Sequence, residues 1–151
     1  MPFYSSEECA TFISELLAAN KSEFTPPGGD EVKDIYPAEQ RLVPKFPAFL
    51  IVPGPINRQL VQTGMQAELS LRVFIYIMHA KLTKTRSERT QEDIRMARKV
   101  SQFLHANKKL DGNVIHSLVE AEIPGSLAGP QGLAVVGTRL DWVATQREVL
   151  W

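Results

Sequence analysis

The sequence has a single cysteine, no surplus of charge of either sign and no long apolar run. Each lack removes a class of protein. With Cys9 alone, an intramolecular disulfide and a zinc site built from several cysteines are both impossible, which fits a reducing cytoplasm. Lys plus Arg and Asp plus Glu number 17 each, so no global field draws the chain to nucleic acid or to an anionic membrane. The opening MPFYSSEE is acidic where a secretory signal would be basic, and no apolar stretch approaches the roughly 20 residues of a membrane span. The expectation is a protein in solution. Its 151 residues suffice for one domain, 1–151, with a core of its own.

What is present reads as an alternation of periods. Ser5 and Glu8 form a capping box, with Tyr4 and Cys9 spaced as a hydrophobic staple, and a helix follows to about Asn20. Its apolar residues Cys9, Phe12, Ile13, Leu16 and Leu17 make one stripe. Residues 22–37 have no periodicity and contain Pro26-Pro27-Gly28-Gly29, which predicts a long flexible loop. Phe46 to Val52 is an apolar run hemmed by prolines, as an edge strand beginning after Pro47 would be. A polar link through Asn57, Arg58 and Gln59 leads to the clearest strand, Ala67 to Met78. Its odd positions Ala67, Leu69, Leu71, Val73, Ile75 and Ile77 are all apolar and predict the core face. The even positions start polar and end in Phe74, Tyr76 and Met78, so the second face needs cover of its own.

Thr90 with Asp93 predicts the start of a second helix, whose apolar side runs Ile94, Ala97, Val100, Phe103 and Leu104 and which Asp111-Gly112 closes. Two strands complete the chain. Val114 to Ile123 is expected to put Ile115, Val119, Ala121 and Ile123 on one face, and Leu133 to about Thr145 to put Val136, Leu140 and Trp142 on one face. The segment Pro124 to Gly132 between them reads as a loop. The predicted class is α+β: a mainly antiparallel sheet of four to five strands with two helices packed on one face, in the order α-β-β-α-β-β.

No residue pattern supports catalysis, a cofactor or a metal. His79, His105 and His116 fall at a strand end, a helix end and a strand interior, without the spacing of a ligand set. Cys9 lies in an apolar stripe, where a thiol packs as a small hydrophobe. Gly125 to Gly132 lacks the Lys-Ser/Thr ending of a phosphate loop and precedes a strand instead of a helix. Glu120 and Glu122 are expected side by side on the water-facing side of a strand. Lys81, Lys84, Arg86 and Arg89 form a basic run without stacking aromatics, better suited to a solvated or partner-facing loop than to nucleic acid.

In order and kind these pieces resemble the tail-completion proteins of tailed bacteriophages, the tail terminators and tail-to-head joining proteins. The resemblance rests on the opening amphipathic helix, the proline-bounded FPAFLIVPGP, the long strand AELSLRVFIYIM, the helix EDIRMARKVSQFLHANKKLDG and the closing GLAVVGTRLDWVATQR. It implies a non-enzymatic assembly subunit that closes into a ring, expected as a hexamer, on the tail tube, stops tube growth and meets the head connector. Its partners would be further copies of itself, the tail-tube protein and the connector, with DNA only as cargo through the ring. Its place would be the host cytoplasm during assembly and the head-proximal end of the tail in the virion. The candidate contact residues are Phe74, Tyr76, Met78, Arg58, Arg86 and Arg89. A head-side connector or stopper is the nearest rival reading, and a small ligand-binding or enzymatic domain the next.

Overall fold

A capping box, two amphipathic helices and strands of period two give an open sheet with both helices on one face. The computed structural model describes residues 2–25, 32–37, 47–61, 64–79, 86–128 and 134–149. The helices are α1 (Ser6–Ala19) and α2 (Arg86–Ala106); the strands are β1 (Asp34–Pro37), β2 (Ala48–Leu60), β3 (Gln66–His79), β4 (His116–Ala128) and β5 (Ala134–Val149). Their order across the sheet is β1-β2-β3-β5-β4, antiparallel throughout except for the short parallel pair of β1 and β2. The class is α+β, as the periodicities predict. Since β3 and β4 both run antiparallel to β5, they are parallel to each other, and α2 is the crossover that joins them with β5 seated between.

The core lies on one side of the sheet. Every odd residue of β3 from Ala67 to Ile77 is buried there, against Cys9, Ile13 and Leu17 of α1 and Met96, Val100 and Leu104 of α2. The even residues Leu140, Trp142 and Ala144 of β5 extend the same face. The helices divide it: α1 packs over β1 to β3, and α2 over β3 to β5. Phe24, in a 3-10 turn at Lys21–Phe24, fastens the halves together, its ring 5.9 Å from that of Phe49 on β2 and edge-on at 5.2 Å to Phe103 on α2.

Several expectations change. The capping box forms, with Glu8 N–H donating to Ser5 Oγ at 3.2 Å, but Tyr4 is exposed and Phe3 packs on Phe12 instead. The stretch 22–37 carries structure at both ends, the turn that buries Phe24 and the strand β1, with buried Val32 between them; residues 26–31 lie outside those described. β2 runs through the link at Asn57 to Gln59, and α2 begins at Arg86 and not at Thr90. β4 begins at His116, which is therefore a strand end, and continues through Pro124 to Ala128, leaving 129–133 outside the described residues.

Two β-bulges explain the faces the alternation misplaced. In β2 the register slips between Pro53 and Ile56, and in β4 between Val119 and Ala121, each by one extra residue. An extra residue inverts the parity of everything beyond it. Val119 faces the core opposite Trp142, whereas Ala121 and Ile123 stand opposite Asp141 and Arg139 on the other face. The expected single face of Ile115, Val119, Ala121 and Ile123 does not exist, and Ile115 and Ile123 are exposed. The bulge separates the two glutamates as well: Glu120 pairs with Arg72 on the outer face, while Glu122 accepts the Ser101 hydroxyl of α2 at 2.6 Å. His105 of α2 pins the bulge, its Nε2 accepting the Val119 N–H at 3.1 Å.

Candidate assembly surface

With both helices on one face, the other face of the sheet is left without a helix among the described elements. Its centre is built from the even residues of β3 and the odd residues of β5, which the register sets in rows: Arg72 beside Val143, Phe74 beside Asp141, Tyr76 beside Arg139. Leu50 and Val52 of β2 continue the Tyr76 and Phe74 rows on one side, and Ile123 of β4 continues the Arg139 row on the other.

The charged groups at the centre of this face are tied down. Arg139 donates to Asp141 twice, from Nε at 2.8 Å to Oδ1 and from Nη2 at 3.3 Å to Oδ2, a fork that holds the guanidinium plane. Those hydrogen bonds push the Arg139 pKa further up, with a smaller contribution from Tyr76. The same guanidinium lies over the Phe74 ring, 5.5 Å from its centroid. Arg72 pairs with Glu120 across β5. The β2 bulge closes the other side: a Cβ on Gly54 would stand 3.0 Å from both Arg72 Cβ and Phe74 Cε2 and 3.1 Å from the Arg72 carbonyl oxygen, so a larger residue there would press these neighbours aside by a few tenths of an ångström. Phe74 and Tyr76 are thus half-buried and held in place, and Leu118 (52% exposed) and Ile123 (44%) add apolar area toward β4.

The sheet edges are poor sites for pairing with another chain. Beyond β4 and beyond the far half of β2 no strand is described, yet β4 carries its bulge and Pro124, and β2 carries Pro53, Pro55 and its own bulge. Bulges and prolines on edges are devices against strand addition. The open face is the better contact surface.

Of the six residues predicted for contact, the structure brings together two. Phe74 and Tyr76 share the open face, but Met78 is 2% exposed and offers no surface. Arg58 stands opposite Leu69, so it belongs to the helix-side face, past the helices, where its Nε lies 3.5 Å from Glu148. Arg86 and Arg89 begin α2, their side chains outside the described residues. Sequence reasoning missed Arg72, Arg139, Asp141 and Gly54. Arg139 and Asp141, two apart in a strand, could have been placed on one face, but nothing local says that this face adjoins Phe74.

Cys9 is buried, and burial pushes its thiol pKa up to about 12, the opposite of an activated nucleophile. Among the described residues no group of three or more His, Cys, Asp or Glu is placed to hold a metal ion, and no helix is long and apolar enough to cross a membrane. The sequence matches no family model and no curated protein.

Proposed function

We propose that the chain is a structural subunit of phage tail assembly, which caps the tail tube, stops its elongation and joins the tail to the head connector. The reading rests on the resemblance of its elements to tail-completion proteins, and the observation that carries it is the open sheet face. A capping subunit must present a firm surface to its neighbours without inviting strand addition. Here Phe74 and Tyr76 are displayed on the sheet beside Arg139, which lies over the Phe74 ring, while β4 and the part of β2 beyond β1 carry bulges and prolines. Aromatic and arginine side chains set in a fixed frame are the usual carriers of binding energy between proteins.

Polymerising the tail-tube protein with and without this chain tests the proposal. Shorter, capped tubes with the chain at their ends are expected. Identical length distributions, with none of the chain at tube ends in micrographs, would overturn it, and binding to the isolated head connector alone would move the chain to the head side.

A further inference from the structure

The outward side of α1 holds a second surface, apart from the sheet. Phe3 N–H donates to the Asn113 carbonyl at 2.8 Å, which folds the residues before the helix back against it, and the Phe3 ring meets that of Phe12 at 5.5 Å between centroids. The two half-buried rings line a groove of about 420 Å³. Glu7, Thr11 and Glu15 line it too; spaced by four they share one stripe of the helix, and all three are exposed.

The helix itself explains only part of this charge. Glu8 is committed to the cap, accepting from Tyr4 N–H and from the Ser5 hydroxyl. Glu7 sits in the first turn, where a carboxylate offsets the positive end of the helix. Glu15 lies two turns further on, where that effect has died away, and neither Glu7 nor Glu15 has an ion-pair partner among the described residues. Free carboxylates beside paired rings are complementary to a guanidinium, which stacks on a ring and pairs at its edge. Eight residues of helix set the two carboxylates about 12 Å apart along its axis. An extended chain covers about 13 Å in four residues and turns every second side chain the same way. A groove of this volume holds a few such side chains, whereas a helix is about 10 Å across.

We propose that the α1 groove binds an extended segment of a partner protein, with arginines four residues apart for Glu7 and Glu15 and an apolar side chain between them against Phe3 and Phe12. The inference goes beyond the tail reading and stands whatever the open sheet face meets. The two surfaces differ in chemistry: the charges at the centre of the open face are paired within the chain, and those of the groove await a partner. Binding in the groove is therefore the salt-sensitive contact.

Titrating the full chain with the peptide GRSLSRG, followed by amide chemical shifts, tests it. The amides of Phe3, Thr11 and Phe12 should move saturably, and less at high salt. The peptide GESLSEG should leave them in place, and GRSSSRG should bind more weakly than GRSLSRG. Glu7→Gln with Glu15→Gln should weaken GRSLSRG about fivefold or more at unchanged circular dichroism. Phe12→Leu keeps an apolar contact but removes a ring, so it should narrow the preference for GRSLSRG over GKSLSKG. No shift at the groove with millimolar GRSLSRG, equal binding by the Glu-to-Gln protein, or shifts confined to the open sheet face would overturn the proposal.

Discussion

At position 9 a thiol is sealed among the apolar residues of α1, and burial, with a smaller push from Glu8, raises its pKa from 9.0 to about 12. The consequence for stability has a definite sign. Below about pH 9 the thiol is neutral in both the folded and the unfolded chain. Between about 9 and about 12 only the unfolded chain ionises, so this group's contribution to stability is lost as the pH rises, at up to about 1.4 kcal/mol per unit. Unfolding by urea at pH 8 and pH 10 should show a larger loss for the wild type than for Cys9→Ala. Equal losses in the two proteins would mean that the thiol titrates as freely folded as unfolded. Native Cys9 should also resist thiol reagents until the chain is denatured.

At the scale of one element, the bulges do more than interrupt pairing. In β4 the extra residue sends Glu120 toward Arg72 and Glu122 toward Ser101, so one strand holds the sheet's outer face and the second helix at once. In β2 it carries Gly54 over β3 and turns Ile56 back toward the core. Gly54→Val is therefore expected to cost about 1–3 kcal/mol, because the added atoms must press on the Arg72 backbone and Cβ and on the edge of the Phe74 ring. Urea unfolding measures this, and an unchanged midpoint would show that the bulge yields freely. The same change should disturb the Arg139 stack, since Phe74 is the ring it covers.

For the whole molecule, the decisive asymmetry is that one sheet face carries both helices and the core, whereas no described helix covers the other. A substitution on the core face attacks folding, whereas one on the open face attacks contact. Phe74→Glu tests the division: the residue is half-buried, so the protein should stay folded with a modest fall in melting temperature, and yet lose capping of the tail tube. A folded Phe74→Glu protein that still caps tubes would show that the open face is not the docking surface.

The capping box, the stripe on α1 and the unbroken odd face of β3 were legible because each is a local pattern repeated long enough to fix its own phase. The α+β class followed from them, as did the burial of Cys9. Arg139 beside Phe74, the parting of Glu120 from Glu122 and the loss of Met78 from the surface were not legible. The first two depend on β5 lying between β3 and β4 and on the extra residue in β4, and the burial of Met78 is a fact of the tertiary structure alone. A strand with a bulge alternates correctly on both sides of it, so its sequence looks regular while half its side chains have changed face. Only the partner strand, by supplying one residue against two, decides where that change falls.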